Sequence, residues 1–192
     1  MDYDNTLLAQ RVFYKVMNAF AHPLRAYNIS EEAAGNPNLQ GDDSVMKSLC
    51  TMLLDNTVSF CVHGDDRLSA DIQELTYARP VRVEDADFVF LREVDGFNQW
   101  DKVHQGTLFS PHEAATVIIE TKKLTGEAEV IAQGPGIKDS LTCCVDPDMA
   151  ECLREKAALV MEYPKGFELL FVTRQGDLCA VPRHVIVQGE GF

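Results

Sequence analysis

The stretch GFELLFVTRQGDLCAVPRHVIVQ, residues 166–188, contains three short β-favouring runs, and Gly176 lies at the turn between the first two. This pattern predicts an antiparallel hairpin followed by a further strand. Earlier in the chain, helical patterns fall between strands, which is typical of parallel strand pairing. Helices between strands early and hairpins late together predict a three-layer α/β/α fold with a mixed β-sheet, not a purely parallel one.

Helical periodicity and β-favouring runs place the other elements. Helices are expected at 5–22, 42–55, 69–78, 97–106 and 146–162, with Asp43 or Ser44 capping the second and Ser69 the third. Strands are expected at 58–62, 88–91, 115–121, 128–133 and 140–145. The run ATVIIET, residues 115–121, has five β-favouring residues of seven and is the clearest of these strands.

Length, composition and charge indicate one ordinary globular domain. The chain has 192 residues, 46% hydrophobic and 24% charged, and no repeat or linker divides it, so residues 1–192 are expected to form a single α/β domain. A formal charge of −13 disfavours nucleic acid and anionic lipid as partners. No apolar run approaches a membrane span, and the acidic start MDYDN is unlike a signal peptide. We therefore expect a cytoplasmic protein that binds neither nucleic acid nor a membrane.

The sequence VIAQGPGIKDSLTCCV, residues 130–145, looks at first like a phosphate-binding loop because Gly134 and Gly136 flank one proline after an apolar run. A dinucleotide fingerprint would need a third glycine at position 139 and a helix after it. Asp139 instead places a negative charge there, and the following LTCCV is β-like. The stretch is therefore predicted to be a turn between two strands.

The residue types that commonly carry catalysis form no recognisable constellation. No G-x-S-x-G elbow occurs, and Glu113 and Glu120, on either side of ATVII, are expected to face solvent. A Schiff base with pyridoxal phosphate would need a lysine in a pocket that lowers its pKa. Lys122, Lys123, Lys138 and Lys165 lie in turn-like contexts that favour exposure. Neither a catalytic residue nor a cofactor is therefore expected.

The six cysteines form no C-x-x-C pair, and most lie in apolar stretches, which predicts buried, reduced thiols. Cys61 and His63 alternate on a predicted strand and so share one face. They are the best candidates for a metal site, although two ligands are too few for tetrahedral zinc. A metal-dependent hydrolase built on this pair is one alternative function, whereas the leading interpretation has no metal.

Five phrases in series resemble a known family: VFYKVMNAFAHPLRAY, TMLLDNTVSF, GTLFSPHEAATVIIET, AEVIAQGPGI and YPKGFELLFVTRQGDLCAVPR. They follow the order and approximate spacing found in the PhnH family, a subunit family of the carbon–phosphorus lyase core complex of bacterial phosphonate metabolism. The resemblance covers nearly the whole chain, from about residue 8 to residue 188. Two departures stand out: Leu24 replaces a usual glycine after Pro23, and Glu168 replaces a frequent aspartate.

The resemblance implies a fold like the large domain of pyridoxal-phosphate-dependent transferases, without the cofactor or its lysine. It implies a homodimer when isolated and, in the core complex, association with G, I and J subunits. That complex forms ribose 1-alkylphosphonate 5-triphosphate from ATP and an alkylphosphonate, with chemistry attributed to the I and J subunits. By resemblance, the chain is an accessory or structural subunit needed for phosphonate use.

The family offers no agreed catalytic set, so its recurring polar positions indicate only ligand or partner contacts. Asp55, Glu168 and Arg183 are the polar residues at matching positions, and His22 precedes the matching Pro23. An alternative function is a stand-alone small-molecule or nucleotide-binding transferase with a cleft lined by His22, Asp55 and Arg183. That alternative requires the fold to bring these three side chains together.

Overall fold

The computed structural model describes residues 3–41, 43–92, 94, 96–159, 161–189 and 192, with side chains described from residue 6 onward. Its α-helices are α1 (Tyr3–Ala21), α2 (Ser30–Gly35), α3 (Ser44–Leu53), α4 (Asp66–Thr76) and α5 (Pro147–Ala158). Its strands are β1 (Tyr27–Asn28), β2 (Ser59–His63), β3 (Arg79–Pro80), β4 (Phe88–Leu91), β5 (Thr116–Glu120), β6 (Thr125–Gln133), β7 (Leu141–Val145), β8 (Glu168–Val172), β9 (Asp177–Val181) and β10 (Ile186–Gly189). None of the described helices is both long and apolar enough to cross a membrane.

The described strands form two sheets. The larger has the order β1-β9-β8-β5-β4-β2-β3, and the smaller has the order β10-β6-β7. Strands β8, β5, β4, β2 and β3 run parallel, whereas β9 is antiparallel to both β8 and β1. The smaller sheet is antiparallel throughout. The predicted α/β fold with a mixed sheet is therefore confirmed, as are the hairpins at Gly176 and at Gly134-Pro135-Gly136.

Apolar side chains cover both faces of the larger sheet. Helices α1, α3 and α4 pack on one face, while α5 and the smaller sheet contribute to the apolar cluster on the other. Strand β5 lies between these clusters, since Ile118 belongs to the first and Val117 and Ile119 to the second. Burial on both faces explains its uninterrupted apolar sequence. The second outer layer thus contains a sheet as well as a helix, unlike the helical layer expected in an α/β/α fold.

The prediction of a helix at 97–106 is wrong. Only Trp100–Lys102 is helical there, as a single 3₁₀ turn. Tertiary packing accounts for the apolar spacing: the Trp100 ring lies edge-on to Phe97 at 4.9 Å and stacks with Phe167 at 6.2 Å. These contacts bury the aromatic residues against the sheet although the segment forms no α-helix.

Of the other predicted helices, α4 and α5 differ most in their bounds from the prediction. The carboxylate of Asp65, not the hydroxyl of Ser69, caps α4 by accepting a hydrogen bond from the Leu68 N–H at 2.9 Å. Helix α5 ends at Ala158, several residues before Pro164. Both errors arise because sequence position alone does not fix a helix end. An aspartate upstream of Ser69 can cap α4, and a loop can separate the end of α5 from Pro164.

Candidate functional site

A charged network joins the carboxyl ends of the parallel strands. Arg92, immediately after β4, donates hydrogen bonds to Asp65 at 3.0 Å and to Glu120 at 2.6 Å, and it pairs with Asp43 at 2.7 Å. Glu120 also accepts from Arg174, which follows β8, at 2.5 Å. The Arg92 and Glu120 side chains are only 13% and 10% exposed. The expectation that Glu120 faces solvent is therefore wrong, because two arginines that follow the neighbouring strands β4 and β8 donate hydrogen bonds to it.

This network lies where the connections of the sheet change direction. The segment after β2 becomes α4, whose Leu68 packs on the α1 side, whereas the segment after β4 carries Trp100 to the opposite side. Such switch points leave a crevice beyond the carboxyl ends of the strands. A crevice of about 570 Å³ lies beside this point, at the ends of β4, β5 and β8, and its charged lining residues are Arg92, Glu120, Lys122, Asp148 and Arg174.

The charges of this crevice are largely engaged with one another. Partial burial acts to raise the pKa of Asp65, but hydrogen bonds from the Leu68 N–H and from Arg92 outweigh it and lower that pKa. Burial likewise opposes ionisation of Arg92, yet its hydrogen bonds to Asp43 and Glu120 raise its pKa well above the ordinary value. The arrangement can hold α3, α4 and three strands together.

A second cavity, of about 480 Å³, lies between α5 and the segment after β9. We call it the α5 cavity. Its polar and charged lining residues are Lys156, Tyr163, Lys165, Arg183 and His184, and its apolar lining includes Leu153, Leu159, Met161, Val185 and Ile186. It combines an apolar wall with basic groups, the composition of many small-molecule sites.

Among the charged residues described in the lining of this cavity, Lys156 is the buried one. The residue is 5% exposed, and its Nζ donates to the Pro182 carbonyl oxygen at 3.1 Å and lies 6.0 Å from the Phe167 ring centre. Burial lowers the pKa of Lys156 from 10.5 to about 8, against the opposing effect of Glu168. The burial of Lys156 could be predicted from the sequence, because Lys156 continues the helical spacing of the buried residues Met149 and Leu153.

Glu168 and Arg183, both predicted as contact residues, lie together beside Lys156. The Glu168 carboxylate accepts from the Arg183 backbone N–H at 2.6 Å and from its Nε at 2.7 Å. Arg183 Nη1 also donates to the Pro111 carbonyl oxygen. The pair therefore joins the start of β8, the end of β9 and the loop before β5, and Arg183 also lines the α5 cavity.

His22 and Asp55 lie apart from that pair. The Nδ1 of His22 is 3.0 Å from the Asn18 carbonyl oxygen and 3.2 Å from the Tyr27 hydroxyl, at the exposed end of α1. Asp55 precedes β2 and accepts from the Thr57 hydroxyl at 2.6 Å and from its N–H at 2.8 Å, which lowers the pKa of Asp55. Strands β8, β5 and β4 separate β9, beside His22, from β2. The three residues of the proposed transferase cleft therefore do not line one cavity among those described.

The cysteines lie mainly in the core as free thiols. Burial raises the pKa of Cys179 to about 12 and also raises the pKa values of Cys50 and Cys152. Cys144, by contrast, is exposed on the edge strand β7. Cys61 packs against the core cluster, and the His63 ring lies edge-on to Phe97 at 5.2 Å. Among the described residues, no three His, Cys, Asp or Glu side chains are grouped to hold a metal ion.

Comparison with known proteins identifies the family of this chain. A family model described as bacterial phosphonate metabolism protein (PhnH) matches residues 3–188. The chain belongs to the PhnH family. Within the family, it is 26% identical to the alpha-D-ribose 1-methylphosphonate 5-triphosphate synthase subunit PhnH of Rhizobium meliloti (strain 1021), over 97% of this chain and 94% of that protein. It is 24% identical to HtxG of Stutzerimonas stutzeri, a proposed C-P lyase subunit, over 94% of this chain and 87% of that protein.

Two PhnH-family positions have clear geometric roles in this structure. Leu24, where the resemblance predicts glycine, has φ of +61°, a left-handed conformation that glycine adopts at lower cost. Gly136 has φ of +85°, and a Cβ added to it would lie 2.5 Å from the Ala21 carbonyl oxygen and 2.8 Å from Cδ of Pro23. The Gly134-Pro135-Gly136 turn thus packs on the end of α1, which is a structural reason for its place in the family pattern.

Proposed function

We propose that this chain is an accessory, structural subunit of a carbon–phosphorus lyase core complex. In this role it assists formation of ribose 1-alkylphosphonate 5-triphosphate from ATP and an alkylphosphonate, together with G, I and J subunits. The observation that carries the proposal is the family match over residues 3–188. A relative named as a subunit of the corresponding methylphosphonate synthase, matched over 94% of its length, supports it further.

The contacts of the charged residues favour an accessory role over an independent enzyme. Arg92 is occupied by three carboxylates, and Arg183 by Glu168 and a carbonyl oxygen. These arginines therefore act mainly to stabilise the fold, and less to supply a nucleophile or a base to a substrate. We place any phosphonate chemistry on the partner subunits.

An apolar stripe on α1 supports assembly with another chain. Phe13, Tyr14 and Met17 are large apolar residues on α1 and are about half exposed. Clustered exposed apolar side chains of this kind are typical of interaction surfaces. We propose that the chain functions as a single domain that is a homodimer when isolated and docks on G, I or J subunits in the complex. His22, Asp55, Glu168 and Arg183 are proposed contact positions.

Free thiols fit the proposed cytoplasmic location, since disulfides are rare in reducing compartments. We also propose a likeness between the larger sheet with its helices and the large domain of pyridoxal-phosphate-dependent transferases. The support is the mainly parallel sheet and the crevice at the carboxyl ends of its strands.

Growth on methylphosphonate tests the need for this subunit. We expect that deletion of its gene in the source bacterium abolishes growth when methylphosphonate is the sole phosphorus source and leaves growth on phosphate unchanged. The intact gene supplied on a plasmid should restore growth. Normal growth of the deletion strain on methylphosphonate would count against the proposal.

A further inference from the structure

The α5 cavity gathers basic groups in a protein whose net charge is −13. Lys156, Lys165, Arg183 and His184 line it, and none of the lining residues that the structure describes is a carboxylate. Glu168 lies next to it but is engaged in two hydrogen bonds with Arg183. The cavity therefore has a local potential opposite to that of the whole chain, which favours an anionic ligand.

The Lys156 amine is held in an unusual way for a lysine. It is almost fully buried at the cavity wall, and its hydrogen-bond acceptor is the Pro182 carbonyl oxygen, not a carboxylate. Within the described part of the chain no carboxylate pairs directly with Lys156, and burial without such pairing disfavours the ammonium form. An amine that is neutral more of the time is a better nucleophile, as in lysines that form Schiff bases.

We propose that the α5 cavity binds a small aldehyde that carries an anionic group, and that Nζ of Lys156 forms a Schiff base with its carbonyl carbon. The anionic group would lie among Lys165, Arg183 and His184, and the apolar part of the aldehyde against Leu153 and Met161. A volume of about 480 Å³ suits a ligand of this size. This inference does not depend on the role proposed above.

The step is balanced without an oxidant or a reductant. The lone pair of the neutral amine forms a bond to the carbonyl carbon, and the C=O π electrons move to oxygen, which takes up a proton. The resulting carbinolamine loses that oxygen as water, so that the nitrogen gives up two hydrogens and a C=N bond replaces C=O. The Schiff base is reversible, because water can add back to the imine carbon.

The pKa of Lys156 gives the adduct a pH dependence. With a pKa of about 8, roughly a quarter of the Lys156 side chains are neutral at pH 7.5. For a lysine with the ordinary pKa of 10.5, the neutral fraction at this pH is about 0.1%. The rate of adduct formation should rise from pH 6 to about pH 8 and then level off. The titratable or charged groups that neighbour Lys156 or share the cavity are Glu168, Arg183, Lys165, His184 and Tyr163.

Reductive trapping tests the proposal with 4-formylbenzenesulfonate as the probe. The intact protein is incubated with a limiting amount of this aldehyde and sodium cyanoborohydride at pH 7.5, and each labelled lysine is quantified by peptide mass spectrometry. We expect Lys156 to be labelled at least about tenfold faster than Lys102 and Lys123, which are exposed. Uncharged 4-methylbenzaldehyde should show a weaker preference for Lys156. Equal labelling of Lys156 and the exposed lysines would overturn the proposal.

Two variants separate the amine from the cavity. Ala157→Trp, at an exposed position of α5 that lines the cavity, should fill it and slow labelling of Lys156 at least about fivefold while the amine remains. Lys165→Met should reduce the preference for the sulfonated over the uncharged aldehyde, whereas Lys102→Met, with the same charge change outside the cavity, should leave it unchanged. Unaltered Lys156 labelling in Ala157→Trp, shown by circular dichroism to be folded, would contradict a reaction inside the cavity.

Discussion

Replacement of Arg92 with methionine is expected to lower the free energy of unfolding by about 3–5 kcal/mol, because one partner of a mostly buried ion network is removed. Asp43, Asp65 and Glu120 would then be left close together, and Arg174 would still pair with Glu120. A loss of this size is a large share of the total stability of a domain. Urea unfolding followed by circular dichroism measures it.

Arg82→Met is the matched control. Arg82 also pairs with two carboxylates, those of Glu84 and Asp85, but its side chain is 75% exposed. Exposed ion pairs contribute about 0–1 kcal/mol, so this variant should unfold at nearly the wild-type urea concentration. The difference between the variants isolates the effect of burial. Equal stability of the two would show that the Arg92 network does not hold the strand ends together.

The second large effect is expected for Gly136→Ala. A β-carbon at this position would overlap the Ala21 carbonyl oxygen and the Pro23 ring, and φ of +85° is unfavourable for alanine. Backbone strain of about 1–2 kcal/mol and overpacking of about 1–3 kcal/mol together predict a loss of about 2–5 kcal/mol. Urea unfolding again measures the change.

Gly64→Ala separates these two contributions. Gly64 has φ of +78°, close to that of Gly136, but a β-carbon there would contact nothing within 4 Å. It should therefore lose only the backbone part, about 1–2 kcal/mol. If both variants lose the same stability, packing of the Gly134-Pro135-Gly136 turn against α1 is not important.

Local sequence patterns were sufficient to predict those elements whose conformation depends mainly on their own residues. Strand β4 was predicted at its observed bounds, and β5 within a residue at each end. Each contains a run of four or five β-favouring residues buried on both faces, and such a run favours a strand. The turn at Gly176 was likewise predictable from glycine between two β runs. The 97–106 segment was not, since its aromatic residues are fixed by contact with distant Phe167.

The candidate sites depended on contacts between distant segments. Glu168 and Arg183 were selected individually from the family pattern, and the hairpin of β8 and β9 brings them together. Arg92 was not selected, because its carboxylate partners come from three other parts of the chain. Lys156 could have been found from its helical spacing. Lys165 precedes β8 whereas Arg183 and His184 follow β9, so these basic groups could not be placed around it without the fold.

Assembly with other subunits is the central claim, and co-purification measures it most directly. The affinity-tagged chain is co-expressed with the G, I and J subunits of the same bacterium, and the eluate is analysed by size-exclusion chromatography with light scattering. We expect one complex that contains all four kinds of subunit, retained when the tag is moved to another subunit. Elution of the tagged chain without G, I or J, from cells in which all four are soluble, would contradict the proposed role.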